Sequence, residues 1–465
     1  MKPNILFIMA DQFRADALGC VGGYARTPNL DQLAAEGFLF ENAYANSAEC
    51  IPSRISLATG LYPHQTGVDR NTSCTLDPAF PNWMQTLIKA GYATSLFGKT
   101  HLHPHEGDIR DRVPLMQRYG LQTVDETTGP RAAAFVKSNM TDLWEKENFW
   151  ESYRKDFSSR FSTKPYLVRP SVLPLEYYYD CYVGTSARRF LAQRDKNIPW
   201  FCWVSFGGPH EPWDAPEPYA SMYSPETMPK PRHGLASIKT GLLKGLYDSP
   251  QANPGMNAEE IAAMRANYAG NVTLIDDQIG KIIELIRDRG ELDRTLIVFT
   301  SDHGEMNGDY GLLYKANFLD PAIKIPLIIR PPINRPTTGT HALNALVELM
   351  DVGVTIVDYA GGKAPSLSCG KSLRALLEKS ARSEKIREKV ICEFGGNTCV
   401  IDENIKVEFD ADLQPVLVID RCKDPQEQTN KLMDEDYRLH ISKAKDWLIK
   451  FRSATPETKA TCDAC

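Results

Sequence analysis

The chain has 465 residues, 53 of them basic and 59 acidic, for a net charge of -6. That balance argues against a protein that coats a nucleic acid, although a local basic pocket stays open. Hydrophobic residues make up 42% and charged residues 24%, an ordinary globular composition, and no apolar run nears the ~20 residues of a membrane helix, so neither nucleic acid nor membrane is an expected partner.

The first apolar stretch, residues 5–10, is shorter than a signal-peptide core and leads into Asp11 and Gln12. It reads as a buried strand. On that reading the chain carries no secretion signal and is expected in the cytoplasm, or in the periplasm had a leader been removed. The 11 cysteines, an odd number in a large chain, favour reduced thiols. A helix with clear ends follows: Thr27 at the N-cap, Pro28 at N1, Leu30, Leu33 and Ala34 as the apolar face, and Gly37 as the stop. Residues 82–90 read as a helix ended by Gly91, and 92–97 as a strand. From 103 to about 174 the pattern is irregular and rich in arginines and aromatics. Residues 200–206 are a strand, and 224–257 a second irregular stretch rich in Pro, Gly and Ser. The pattern then gives a long helix over 258–289, strands over 296–300 and 326–330, and a helix near 347–359. Past that point the rhythm changes to short strands at 390–394, 406–409 and 415–420 and a last helix over about 435–451.

Strand–helix alternation at this length predicts an α/β fold, a large mostly parallel sheet sandwiched by helices. It spans residues 1–380, and the excursion over about 103–174 shapes the substrate site. Residues 381–465 form a small C-terminal α+β subdomain with a short antiparallel sheet. The length alone would allow about three domains.

Ligands in open α/β sheets bind beyond the carboxyl ends of the strands. Asp11 and Gln12 follow the first strand; Gly98, Lys99 and His101 follow the 92–97 strand; Gly207, Gly208, Pro209 and His210 follow the 200–206 strand; Asp302, His303 and Gly304 follow the 296–300 strand. One strand-end aspartate is usually a cap or a turn residue. Four such clusters at one edge are harder to explain that way. Asp11, Gln12 and Asp302 offer hard oxygen donors and His303 a nitrogen, which favours Ca²⁺ or Mg²⁺ and keeps Mn²⁺ open. Lys99, His101, His210 and Lys315 add positive charge, so the substrate is expected to be a phosphate or a sulfate. Cys50, in AECIPSRISLATG, lies close before Pro52, and a proline near N1 places it at a helix N-terminus that favours an anion. It reads first as a buried core cysteine and second as a thiolate nucleophile of lowered pKa.

A third reading comes from resemblance. Cys50-Ile51-Pro52-Ser53-Arg54, followed by Ala58-Thr59-Gly60, resembles the C-x-P-S-R signature of the formylglycine-dependent sulfatases, in the alkaline-phosphatase-like superfamily. NILFIMADQ, TPNLDQLAAEG, GKTHL, PHEPWDAPEPY, SDHGEMNGDYGLLYK and RCKDPQEQTNKL resemble further segments of that family, in order along most of the chain. The resemblance implies that a formylglycine-generating maturation enzyme converts Cys50 to formylglycine. Cys50 would then share one divalent ion, Ca²⁺ first and Mg²⁺ or Mn²⁺ as alternatives, with Asp11, Gln12, Asp302 and His303. A hydrated aldehyde has two hydroxyls. One can attack sulfur, and deprotonation of the other can later expel sulfate, an exit that a serine ester lacks. Arg54 would hold the diol and sulfate oxygens, and Lys99 and Lys315 would bind sulfate. His210 would be the general acid, with or without Lys315, and His101 the base that triggers sulfate release. Gln12 stands where many members have aspartate, and His303 where many have asparagine. His103 and His105 read as substrate contacts or as a solvated loop, and Asn71 as a residue that approaches the site. With Cys50 converted, the remaining cysteines are even in number and would permit disulfides.

The resemblance thus implies hydrolysis of a sulfate ester. Phosphonate monoester or phosphodiester hydrolysis is the alternative with which Gln12 and His303 are compatible, while the Lys99-x-His101 pair favours sulfate. A binding protein with unmodified Cys50 is a third. Arg110, Arg112, Arg118, Arg131, Arg154, Arg160 and Arg169, with Trp144 and Trp150, point to a sulfated carbohydrate, although interleaved acids such as Asp108, Asp111 and Glu145 allow the arginines to be paired instead.

Overall fold

The computed structural model describes residues 2–163, 167–234, 236–332, 341–378, 385–455, 458 and 462–463. Its strands, in chain order, are β1 (Asn4–Asp11), β2 (Phe38–Tyr44), β3 (Thr75–Leu76), β4 (Ala93–Gly98), β5 (Thr123–Glu126), β6 (Trp200–Pro209), β7 (Thr295–Ser301), β8 (Leu327–Arg330), β9 (His341–Glu348), β10 (Val390–Phe394), β11 (Asn397–Ile401), β12 (Ile405–Phe409), β13 (Pro415–Asp420) and β14 (Cys462–Asp463). Eight of them form the main sheet in the order β5-β4-β6-β1-β7-β8-β2-β9. The pairings are parallel except where β8 meets β7 and β2.

Burial on both faces explains why the central strand is an unbroken apolar run. From β1, Leu6, Ile8 and Ala10 enter one core, with the helices Tyr179–Ala192 and Ala258–Asp288. Ile5, Phe7 and Met9 enter the other, with the helices Cys50–Thr59, Trp83–Lys89 and Asp351–Tyr359. Each large apolar side chain so buried stabilises the fold by roughly 1.5–3 kcal/mol relative to exposure.

Strands β10 to β13 form a separate antiparallel sheet in sequential order. One face takes Val400, Val407 and Val418 against Ala444 and Leu448 of the helix Arg438–Ala454. The other face, with Val390, Ile401 and Ile419, packs on Phe318, Leu319 and Ile323 of the main unit. The boundary expected at 380 falls within 379–384, outside the described residues.

Some local expectations change. The helix expected near 347–359 starts at Asp351, because residues up to Glu348 complete β9. The segment from 103 is not irregular throughout: it holds β5 and the helices Asn139–Lys146 and Trp150–Thr163. Ser138 and Thr141 close a capping box at the first of these. Thr27 is an N-cap residue without a cap bond of its own; its hydroxyl instead lies 2.8 Å from Asp31 and accepts from Gly19 N at 2.8 Å. Cys74 is disulfide-bonded, which departs from uniformly reduced thiols. Cys20, Cys50, Cys181, Cys202, Cys369, Cys392, Cys399 and Cys422 are free. No helix among the described residues is long and apolar enough to cross a membrane.

Candidate active site

The helix Cys50–Thr59 begins two residues earlier than a proline at N1 suggests. Glu49 is the N-cap, Cys50 is N1 and Pro52 is N3, all within the first turn, where proline removes no helical hydrogen bond. Cys50 is 2% exposed, yet it lines a cleft of about 370 Å³. Its Sγ lies 3.0 Å from His303 Nε2 and 3.9 Å from Asp11 Oδ1. The donor atoms of Asp11, Cys50, Asp302 and His303 all fall within 4.8 Å of one another, and all four residues are buried.

Arg54 stands one turn along the same helix and is fully buried. Its Nε donates to Asp302 Oδ2 at 2.7 Å, one terminal nitrogen to Lys99 O at 2.8 Å and Ser205 Oγ at 3.1 Å, and the other to Asp11 Oδ2 at 3.3 Å. The guanidinium therefore clamps the two carboxylates. Lys99 Nζ pairs with Asp11 Oδ2. Lys99 is aimed by a close strand contact: Gly98 has φ +104, and a Cβ there would collide with the Ser205 carbonyl. The Lys99 amide donates to that same carbonyl at 3.0 Å.

Gln12 adopts φ 67, a conformation uncommon outside glycine. Its N–H donates to Asp302 Oδ1 at 3.1 Å, and its carbonyl accepts from Tyr268 OH at 2.8 Å. Its amide nitrogen donates to Glu211 Oε2 at 2.8 Å and to Glu305, and Lys315 Nζ donates to its Oε1. Lys315 Nζ also lies 3.2 Å from His210 Nε2, while His210 Nδ1 donates to the Glu211 carbonyl at 2.7 Å. His101 lines the same cleft, in a left-handed conformation with φ 56. The structure thus gathers all of the anticipated residues, with Arg54, Asp11, Asp302 and His303 beneath the cleft. Cys50, Lys99, His101, His210 and Lys315 line it.

The buried acids already sit among cationic groups. Burial alone would lower His303, but Asp302 and the Cys50 sulfur carry it up to about 9. Its Nδ1 faces Gly304 O at 2.9 Å, so Nε2 is the nitrogen turned to the donor group. Burial alone would also raise Asp11; Lys99, His210 and Arg54 outweigh it and hold the carboxyl well below its usual range. A set of two carboxylates, an imidazole and a side chain at position 50 suits one divalent ion.

Several side chains depart from their expected settings. His103 and His105 are not a solvated loop: His103 Nε2 pairs with Glu126 Oε2 at 2.8 Å, and His105 packs on His101 with ring centres 4.2 Å apart. Asn71 lines the cleft and accepts from Ile51 N at 2.9 Å, in the first turn of the Cys50 helix. Trp144 and Trp150 are core residues whose ring N–H groups donate to Tyr177 O at 2.8 Å and Ala133 O at 2.9 Å. Arg110 pairs with Asp108, Arg160 and Arg169 with Asp156, Arg112 with Glu106 and Arg154 with Glu151. Arg131 is the one of that arginine set that lines this cleft among the described residues. Glu211, Glu305 and Asp180 were not anticipated. Glu211 and Glu305 sit inside the quoted PHEP and DHGE strings, which is the signal that could have found them; Asp180 has no such signal.

The family model for sulfatases matches residues 3–362, and the model described as N-sulphoglucosamine sulphohydrolase, C-terminal, matches 308–454. The chain therefore belongs to the sulfatase family, within the alkaline-phosphatase-like superfamily, and is a sulfuric ester hydrolase. It is 30% identical to an arylsulfatase of Clostridium perfringens over 97% of this chain and 94% of that one. It is also 30% identical to the multifunctional alkaline phosphatase superfamily protein PehA of Trinickia caryophylli, over 98% and 96% of the two chains. The crystal structure of the phosphonate monoester hydrolase of Agrobacterium radiobacter superposes with a TM-score of 0.79 at 27% identity, covering 98% of this chain and 96% of that chain.

Proposed function

We propose that this sulfatase cleaves a sulfate ester on a sulfated carbohydrate, with formylglycine made from Cys50 and one divalent ion, calcium first, at the floor of the cleft. The observation that carries the reading is the convergence of Asp11, Cys50, Asp302 and His303, with Cys50 lining the same cleft as Lys99, His101, His210 and Lys315. The ion supplies charge compensation and the formylglycine a hydrated aldehyde whose hydroxyl is the nucleophile. Arg54 holds Asp11 and Asp302 in place. Lys99 and Lys315 neutralise the sulfate oxygens, and His210 with Lys315 protonates the departing alcohol. His101 takes the proton that allows sulfate to leave. The match to a sulphoglucosamine sulphohydrolase C-terminal model supports a carbohydrate. Cys50 is so little exposed that a formylglycine-generating enzyme must reach its segment before the chain closes over it.

A second reading, phosphonate monoester or phosphodiester hydrolysis, draws support from Gln12, His303 and the likeness to the phosphonate monoester hydrolase. The Lys99-x-His101 pair favours sulfate. Intact-protein mass after co-expression with a formylglycine-generating enzyme tests the nucleophile. The mass of Cys-to-aldehyde conversion should appear, and Cys50→Ala should release no sulfate. Full sulfate release by protein with an unconverted thiol would sink the proposal.

A further inference from the structure

Arg131 lines the same cleft as Cys50, beside His210 and Lys315. Its guanidinium lies 4.8 Å from the Phe161 ring centre and 5.2 Å from that of Tyr314. Tyr314 in turn stacks on Trp213, with 8° between the planes. One terminal nitrogen pairs with Glu211. Glu211 and Tyr314 are the chain neighbours of His210 and Lys315, so the contacts that hold Arg131 also tie it to the two groups on the leaving-group side. The loop that carries Arg131 also reaches Lys99: a Cβ on Gly129 would sit 3.3 Å from Lys99 Nζ.

An arginine that only held Glu211 would need no access to the cleft. Glu211 already accepts from Gln12 at 2.8 Å and lies 3.3 Å from His210 Nδ1. The Arg131 side chain keeps 43% exposure, and its buried Nε has no hydrogen-bond partner among the described residues. A guanidinium has five N–H donors in a rigid fork, and Glu211 engages one side of it. The Phe161 and Tyr314 rings flank the fork, and Tyr314 also shares a side-chain hydrogen bond with it, which leaves Nε unpartnered among the described residues.

We propose that Arg131 is an anion subsite for the leaving group, receiving a second anionic oxygen group, a carboxylate or a further sulfate, carried by the alcohol that departs beside His210 and Lys315. The inference rests on the sulfate-ester reading and narrows the substrate to esters of anionic alcohols. The test compares phenyl sulfate, 3-carboxyphenyl sulfate and 1,3-phenylene disulfate on matured wild type, Arg131→Gln and Arg131→Lys. Ratios taken between enzyme forms cancel differences in leaving-group acidity. Wild type should favour a dianionic ester by about tenfold or more in kcat/KM, chiefly through KM, as a charge-assisted fork implies. The carboxylate and disulfate arms show which group is accepted. Arg131→Gln should abolish the preference, and Arg131→Lys should keep part of it. Product inhibition gives a check without a variant, should Arg131→Gln lose its cooperative melting: 3-hydroxybenzoate should inhibit wild type more tightly than phenol. An unchanged preference in Arg131→Gln, no preference in wild type, or equal inhibition by the two products overturns the subsite. Should no sulfate ester turn over, the sulfate reading fails by itself, and the same comparison on phenyl and 3-carboxyphenyl phosphonate monoesters decides the Arg131 claim.

Discussion

His210 and Lys315 divide the proton between them. Burial, joined by the neighbouring Lys315 charge and opposed by Glu211, lowers His210 to about 3, while Lys315 is held above its ordinary value. With the His210 Nδ1 hydrogen given to the Glu211 carbonyl, a neutral imidazole turns its Nε2 lone pair to Lys315 Nζ, 3.2 Å away, as these directions favour. On the proposed mechanism an arriving sulfate would favour the imidazolium and let the pair act as one acid. His210→Asn should therefore cost about 10²–10⁴-fold in kcat for an alkyl sulfate, whose alcohol needs the proton, and far less for 4-nitrophenyl sulfate. Equal losses on the two esters would remove His210 from the acid role. His101 is pushed well below its usual value by burial, then by Lys99 and His105. Its base form thus persists as pH falls, and where sulfate release limits turnover the acid limb of kcat should lie below the ordinary histidine pKa of about 6.5. A limb above neutrality, followed in a pH–rate profile, would contradict that assignment.

Strand ends set these side chains, and the end of β6 is fastened from outside the sheet. Asp180, in the helix Tyr179–Ala192, accepts from Gly207 N at 3.0 Å and Gly208 N at 3.1 Å, two residues before His210. Burial pushes its carboxyl up to about 7, against the bonds from these two amides. A folded pKa above the unfolded value means stability that is full below the unfolded pKa and lost as pH rises through about 7. Asp180→Asn keeps an acceptor without the charge, so its melting temperature relative to wild type should rise between pH 5 and pH 8. Asp180→Ala orphans both amides and should cost about 2 kcal/mol or more at either pH. A melting curve for Asp180→Asn that tracks wild type at every pH would count against the buried charge. The site helix shows how far local chemistry reaches: Pro52 marked the first turn, but only the fold shows Cys50 at N1 and Arg54 turned beneath it onto Asp302 and Asp11.

Across the molecule, the central strands were legible because burial on both faces makes them uninterrupted apolar runs. Strands β2 and β9 were not, since exposed positions such as Glu41 and Asn344 interrupt their apolar residues. Strand β11 was missed although Gly395 and Gly396, both at positive φ, form the hairpin turn before it. Residues beyond the strand ends and the quoted motifs announced the anticipated site. The sequence could not show which arginines were free: Asp156 meets Arg160 at i,i+4 spacing within one helix, but it answers Arg169 only through the fold. Nor could it show that Trp144 and Trp150 belong to the core. The preference for sulfate over phosphonate on this scaffold is tested by comparing kcat/KM for phenyl sulfate and a phenyl phosphonate monoester on protein whose Cys50 conversion has been verified. The Lys99–His101 pair beside a formylglycine predicts the higher value for the sulfate, lost in Cys50→Ala. A higher value for the phosphonate, or sulfate turnover that survives Cys50→Ala, would contradict the account.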